Sequence, residues 1–359
     1  MNVLILTDER YPYHIGGAGV VASQTAQALI GKNIHCSINC SNPKNRFLRK
    51  IYNALWPIWA LFVYSFSLIK KNDLIVVNDL RSAYILGMIG CKKILNKTVY
   101  IIHGTEIDIV YRARSKKNTL IFLPFFYSRF LRSCNKIVYV SHYVASRTQD
   151  ELFQRKIVPR NELVSYAGLN AAMQNLALHL TTLATDKYEP IRLVSFSRLE
   201  KRKGYLEMIS IFESLVKKGN DLVWDIYGKG SLENDINNLL KEKKLDTRVR
   251  MMGKLDRDSL SNHINPNSYD AYWLLPNEPE AFGLTFIESS AAGLPVIGPK
   301  KYGIEEAICE NQSGFFYEDP KQLMCNLIQI KNHKFDFMVS CKKWATRFSA
   351  DNFINDILN

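Results

Sequence analysis

Short, near-continuous apolar runs alternate along the chain with longer stretches of helical character. That alternation predicts βαβ units and parallel sheets. The first half holds strand candidates at Val3–Thr7, Leu74–Asn78, Thr98–Ile102 and Lys136–Val140. The second half holds them at Ile191–Phe196, Val223–Tyr227, Arg248–Met252, Ala271–Leu275 and Val296–Ile297. Solid apolar runs, rather than alternating ones, are what strands covered on both faces require. Between Leu169 and Pro190 the pattern lapses into small and polar residues, which places the linker there. The last segment, Trp344–Leu358, is helical again with no strand after it. The expected architecture is α/β, with two Rossmann-like domains facing each other across a cleft.

One stretch competes with that reading. Residues 51–69, IYNALWPIWALFVYSFSLI, run for 19 positions without a charge between Arg49-Lys50 and Lys70-Lys71. By length this is a membrane-spanning candidate. Pro57 interrupts it, however, and the strand Leu74–Asn78 follows at once. A span would put that strand across the bilayer from Val3–Thr7, where the two could not pair. A buried or membrane-dipping helix is expected instead.

A length of 359 residues exceeds one ordinary core and implies two domains. The cysteines, at 36, 40, 91, 134, 309, 325 and 341, are odd in number and scattered. Only His35 stands beside Cys36 and Cys40, one ligand short of a zinc site, so reduced thiols in a cytoplasmic protein are expected. The start, MNVLILTDERYPY, lacks a basic region and meets Asp8 and Glu9, unlike a signal peptide. Charge is uneven: residues 1–180 carry 23 Lys and Arg against 9 Asp and Glu, and residues 181–359 carry 24 against 25. All the net +13 therefore belongs to the first half. A basic half attracts phospholipid, nucleic acid or phosphorylated substrate. No recognised nucleic-acid module accompanies it, and its cations are interleaved with long apolar runs, so no nucleic-acid partner is expected.

The turn after the first strand contains Gly16, Gly17 and the run Gly17-Ala18-Gly19-Val20-Val21-Ala22, a G-x-G-x-x-A fingerprint. It lies too far beyond Thr7, and no acid follows at ribose-binding distance, so a nicotinamide cofactor is not expected. Glycines that bring a helix N-terminus close to an anion, or a plain tight turn, remain. In the second half, Ile191–Phe196 runs into Ser197-Arg198-Leu199-Glu200-Lys201-Arg202-Lys203-Gly204. Arg198 and Lys203 thus follow a strand end, where α/β sheets bind ligands, and fixed cations there suit a diphosphate. The next strand ends in Gly228-Lys229-Gly230. A later strand end carries EPEAFGLTFIESSAAGLPVI, residues 278–297, with Glu280 and Glu288 flanking Phe282-Gly283-Leu284. Cation, glycine and carboxylate at three strand ends make a coherent nucleotide site.

The series Arg198-x4-Lys203, Gly228-x-Gly230, Glu280-x7-Glu288 and Gly293-x-Pro295 resembles the retaining GT-B glycosyltransferases called family 4, also known as glycosyl transferases group 1. Gly16-Gly17 and His103-Gly104 fit the same pattern. The chain departs from it at Ala167-Gly168, often Asn-Gly in the family, and at Tyr302, often glycine. The resemblance implies an acceptor-binding domain over residues 1–168, completed by a returning C-terminal helix at 340–359, and a donor-binding domain over 169–339. It implies transfer of a sugar from a nucleotide-diphosphate sugar to an acceptor hydroxyl with retained configuration. In that scheme Glu288 holds the donor ribose, and Gly16, Gly17, Gly228, Gly230 and the backbone of Phe282, Gly283 and Leu284 shape the donor site. Glu280 lies near the transferred sugar, and Arg198 and Lys203 neutralise the leaving diphosphate, so that no metal or other cofactor is required. His103 positions the sugar or acceptor, with Glu106 and Asp108 on the acceptor side.

Asp256-Arg257-Asp258 also has the acid-x-acid form of a metal motif, but it precedes a helix, where capping is the expected role. Clusters at Lys44, Arg46, Arg49, Lys50 and at Arg112, Arg114, Lys116, Lys117 border residues 51–69 and 120–131, the latter reading LIFLPFFYSRFL. Basic residues beside apolar ones suit an anionic membrane surface. The expected protein is a cytoplasmic enzyme, peripheral on the inner face of the cell membrane, with a lipid-linked glycan acceptor in bacterial surface-polysaccharide synthesis. Alternatives are a phosphorylase or sugar-nucleotide epimerase of the same fold, or a catalytically silent binder of anionic ligands.

Overall fold

A computed structural model describes residues 1–9, 17–43, 45–113, 115–183, 190–255 and 259–359. The chain divides into two compact units, Met1–Gly168 with Ala350–Asn359, and Leu169–Ser349. The first is a six-stranded sheet of β1 (Asn2–Thr7), β2 (His35–Cys40), β3 (Leu74–Val77), β4 (Thr98–Ile102), β5 (Lys136–Tyr139) and β6 (Glu162–Val164). Its order is β2-β1-β3-β4-β5-β6 and every pairing is parallel. The second sheet holds β7 (Ile191–Phe196), β8 (Leu222–Tyr227), β9 (Val249–Gly253), β10 (Ala271–Trp273), β11 (Val296–Pro299) and β12 (Gly314–Tyr317). Its order is β12-β11-β10-β7-β8-β9, again all parallel.

Sheet order decides where a ligand can sit. In the first sheet the direction of winding reverses between β1 and β3, and in the second between β7 and β10. Connections leave the two strands at such a point in opposite directions, which opens a crevice beyond their carboxyl ends. Thr7-Asp8 and Asn78-Asp79 lie at the first reversal; Ser197-Arg198 and the loop leading to Glu280 lie at the second.

Two expected boundaries are corrected. The segment 169–190, read as linker, begins with helix Ala171–Leu178, anchored by the Asn170 side chain accepting from the Met173 amide at 2.8 Å. The expected C-terminal helix 340–359 is two helices, Lys334–Ala345 in the second unit and Ala350–Leu358 in the first. The latter is fastened by Lys136 Nζ donating to the Asp356 carbonyl at 3.0 Å and Ser165 Oγ to its carboxylate at 2.7 Å.

Residues 51–69 fall within one helix, Arg46–Ile69, kinked at Leu55 just before Pro57. It is long and apolar enough to cross a membrane, but one face packs on the first unit. Tyr52, Trp56, Ala60 and Tyr64 are buried along that face. Tyr64 Oη donates to the Thr7 carbonyl at 3.1 Å, Trp59 Nε1 to the Ser41 carbonyl at 3.1 Å, and Tyr52 to Asp8. The opposite face exposes Leu55, Ile58, Phe62, Phe66 and Ile69. Leu120, Phe122 and Phe125 of the second apolar run are exposed as well.

Candidate functional site

After β7 the second unit runs through Ser197–Glu200 into a 3₁₀ turn, Lys201–Lys203, closed by Gly204 at φ 75°. A Cβ at Gly204 would lie 2.0 Å from the Leu275 carbonyl oxygen, so this loop and the one after β10 pack backbone to backbone. The contact brings Lys203 to Glu280, with Nζ 2.6 Å from Oε1. Arg202 reaches the same oxygen at 3.5 Å and Glu200 at 2.9 Å, and Arg198 pairs with Glu200 at 2.8 Å. The sequence placed Arg198, Lys203 and Glu280 here; Glu200 and Arg202, in the same charged run, were passed over.

Three cations against two carboxylates leave this crevice with a surplus positive charge. Burial lowers the pKa of Lys203, against the pull of Glu280. Burial also opposes the charge on Glu200, but Arg202, Arg198 and Lys203 together hold its carboxyl below the usual range. Arg198 lies at the open end of the network: its side chain is 42% exposed against 10% for Lys203.

Gly228 and Gly230 have a packing role that the sequence did not disclose. A Cβ at Gly228 would fall 2.2 Å from the Ser197 carbonyl oxygen, and one at Gly230 would fall 2.3 Å from that of Leu199. These glycines let the loop after β8 lie against the loop that carries Arg198. Gly303 does the same for the acidic loop: its amide donates to the Glu280 carbonyl at 3.0 Å, and a Cβ would meet Ala281 O at 2.0 Å. Tyr302 beside it adopts φ 59°, a conformation that glycine takes without strain. Phe282 is buried against the Phe348 ring at 5.4 Å, so only its backbone is offered to a ligand. Gly283, at φ 98°, turns the chain into helix Leu284–Ala291, whose second turn carries the buried Glu288. Both Glu280 and Glu288 act electrostatically on the buried Tyr272 hydroxyl, which is pushed up first by burial and then by Tyr205 and these acids.

In the first unit, Asn78 and His103 follow β3 and β4. Asn78 Nδ2 donates to the Ala18 carbonyl at 2.8 Å and to Thr7 Oγ1 at 3.3 Å, which leaves its Oδ1 as acceptor for His103 Nε2 at 3.2 Å. His103 therefore carries its proton on Nε2 and keeps Nδ1 as an acceptor. Burial lowers its pKa to about 4. NMR titration of the imidazole is expected to show a midpoint near pH 4, with the ring neutral from about pH 5 upward. A midpoint near the ordinary value of 6.5 would remove His103 as a fixed neutral acceptor.

Glu106, expected on the acceptor side, is buried with its oxygens on the His103 and Gly104 amides at 2.8 and 2.7 Å. In this state it holds the His103 loop. Asp108 pairs with Arg147 at 2.6 Å and Arg112 at 3.2 Å. Gly17 opens helix Gly17–Gly31; Gly16 lies outside the described residues, as do Lys44, Arg114 and Asp256–Asp258. A cluster at the first reversal point escaped the sequence reading. Asp8 accepts from Arg81 at 2.9 Å, from Ser41 at 3.2 Å and from Tyr52, and its amide donates to Asp79. Burial, then the neighbouring Asp8, pushes the Asp79 carboxyl up.

Residues 185–344, most of the second unit, match the family model described as glycosyl transferases group 1. The UDP-N-acetylglucosamine–peptide N-acetylglucosaminyltransferase GtfA subunit of Streptococcus agalactiae is 28% identical over 171 residues, covering 46% of this chain and 33% of that protein. The amylovoran biosynthesis glycosyltransferase AmsK of Erwinia amylovora is 26% identical over 134 residues, 36% of this chain and 32% of that one. The chain thus spans about a third of the length of these relatives. The Anabaena protein Alr3699/HepE, solved with UDP and glucose, superposes with a TM-score of 0.69 at 16% identity, covering 100% of this chain and 98% of that one. The fold is therefore the two-domain α/β fold of the GT-B class.

Proposed function

We propose that this chain is a retaining, family 4 type glycosyltransferase that moves a sugar from a nucleotide-diphosphate donor to an acceptor hydroxyl without a metal. The observation that carries the reading is the Arg198–Glu200–Arg202–Glu280–Lys203 network at the β7/β10 reversal point. A leaving diphosphate gains negative charge as the glycosidic bond breaks, and cations fixed in place before the reaction stabilise that charge with little reorganisation. Arg198 meets the diphosphate from the open end of the network, Lys203 backs it, and the departing oxygen takes the acceptor proton. Glu288 accepts the ribose hydroxyls. His103 Nδ1 accepts a hydroxyl of the sugar or acceptor. The group 1 match and the UDP held by HepE support a nucleotide-sugar donor.

In the same reading, the first unit attaches to the inner face of an anionic membrane and takes a lipid-linked glycan acceptor. Its surplus of basic residues and its two exposed apolar faces support this, and AmsK supplies a relative named for polysaccharide biosynthesis.

The test is to incubate the protein with nucleotide sugars, with and without a membrane extract as acceptor source, and to measure released nucleotide and the product anomer. Release that needs the acceptor and persists in EDTA is expected. Loss of transfer in EDTA, restored by magnesium or manganese, would defeat the metal-free mechanism. Change of the sugar without an acceptor would indicate an epimerase, and release of a sugar phosphate with inorganic phosphate a phosphorylase. Binding without turnover would leave a silent ligand-binding protein.

A further inference from the structure

The first unit holds a cavity of about 520 Å³ apart from the strand-end residues described above. Its basic wall is one face of helix Leu123–Ser133, where Phe125, Ser128, Arg129 and Arg132 recur at helical spacing, and Arg155 and Tyr111 close the other side. Two of the arginines, Arg129 and Arg155, are held by their neighbours. The Arg155 guanidinium lies over the Tyr111 ring, 4.2 Å from its centroid, and Tyr111 Oη bonds Ser128 Oγ at 2.8 Å. Arg129 packs so closely on Gly90 that a Cβ there would fall 2.0 Å from its Nη2. The neighbouring carboxylate, Glu151, is shared between Arg155 at 2.8 Å and Arg112 at 3.2 Å, so the cluster keeps a positive surplus.

The rim has a second character. Phe125, 64% exposed, stands at the cavity mouth, and Phe122 and Leu120 are exposed just before it in the chain. A chain of ring contacts runs from Phe125 to Phe126 at 5.2 Å, to Tyr84 at 5.7 Å and to Trp56 at 5.2 Å, into the helix that exposes Ile58, Phe62 and Phe66. Lys117 Nζ, donating to the Asn53 carbonyl at 3.0 Å, joins the same two regions. A soluble anion would use the arginines and leave these apolar groups in water. A phospholipid uses both, because its phosphate lies at the depth where interfacial aromatics meet the acyl boundary.

We infer that the Arg129–Arg132–Arg155 cavity receives the phosphate of an anionic phospholipid headgroup, with Phe122 and Phe125 against the acyl region. This rests on the membrane-attached reading and adds a stereospecific site to it. A diffuse basic surface attracts any anionic bilayer and does not distinguish lysine from arginine. A built pocket does, because the planar guanidinium grips a phosphate through two bonds and an ammonium acts as a point charge.

Flotation of the full chain with phosphatidylcholine vesicles, with and without phosphatidylglycerol, tests this. Arg129 and Arg132 are both exposed, so their replacement leaves the fold intact, which circular dichroism checks. The wild type is expected to bind the vesicles containing phosphatidylglycerol. An Arg129→Gln/Arg132→Gln variant should bind them roughly 30-fold more weakly, from about 1 kcal/mol per cation. An Arg129→Lys/Arg132→Lys variant, with charge unchanged, should still lose about fivefold. Undiminished binding of the lysine variant would overturn the pocket and leave only diffuse membrane attraction. Wild-type protein that ignores every vesicle would overturn the membrane reading itself. If inorganic phosphate binds the wild type but not the lysine variant in calorimetry, while vesicles are ignored, the cavity belongs to a soluble anion and the lipid assignment fails.

Discussion

Replacing Arg198 with alanine is expected to lower kcat/KM for sugar transfer by about a thousandfold or more and to leave unfolding in urea nearly unchanged. An arginine that meets charge developing on a leaving phosphate contributes on the order of 10³ in rate in comparable phosphoryl chemistry. Arg198 is 42% exposed and its partner Glu200 is 32% exposed, and such pairs contribute at most about 1 kcal/mol. Lys203 does not offer so clean an experiment. Its side chain is buried beside Glu280 at 2.6 Å, and breaking a buried pair costs roughly 3–5 kcal/mol. Lys203→Ala would lose activity through the fold as well as through the diphosphate, with Arg202 at 3.5 Å giving Glu280 only partial compensation. Steady-state kinetics, calorimetry with the nucleoside diphosphate and urea unfolding on the same Arg198 variant separate these effects. Wild-type nucleotide affinity and turnover in Arg198→Ala would remove this residue from the site.

What the sequence disclosed of the fold follows from where each strand lies. The nine strands expected from solid apolar runs all exist, and among the described residues the three not expected, β2, β6 and β12, all sit at sheet edges. An edge strand is covered by fewer neighbours and tolerates polar or small residues: His35–Cys40 reads HCSINC, half exposed, and Glu162–Val164 spans three residues. The apolar helix was ambiguous for a related reason. A helix apolar all round reads the same whether it is fully buried or, like Arg46–Ile69, packs one face and exposes the other. At the site, residues that follow strand ends were legible because topology alone puts them at the crevice. Glu200 and Arg202 were not, because a charged run gives no sign of which members face inward. The packing of Gly228 and Gly230 against the backbone of residues 197–199 was not legible either, because it joins two loops distant in the chain. The Asp8–Tyr52–Arg81 cluster joins residues up to 73 positions apart, which no local pattern reports.

Of the two glutamates, only Glu288 is expected to weaken binding of the bare nucleoside diphosphate when replaced by glutamine. Glu288 is buried in the second turn of helix Leu284–Ala291, where it can hold both ribose hydroxyls as a charged acceptor. Hydrogen bonds to a charged group contribute roughly 1.5–3 kcal/mol, so Glu288→Gln should weaken nucleotide binding by about a hundredfold. Glu280 does not need the ribose to be influential, because in the unliganded protein its carboxylate offsets Lys203 and Arg202. Removing that charge leaves the cations free to attract a diphosphate, so Glu280→Gln should bind the bare nucleotide as well as the wild type or more tightly. Transfer should nevertheless fall in Glu280→Gln, because this acid ties the loops after β7 and β10 together next to the proposed position of the sugar. Calorimetry with the nucleoside diphosphate, followed by kinetics with the donor sugar, separates the two. Equal weakening by both substitutions would mean that the glutamates act as one structural unit, and the assignment of Glu288 to the ribose and Glu280 to the sugar would fail.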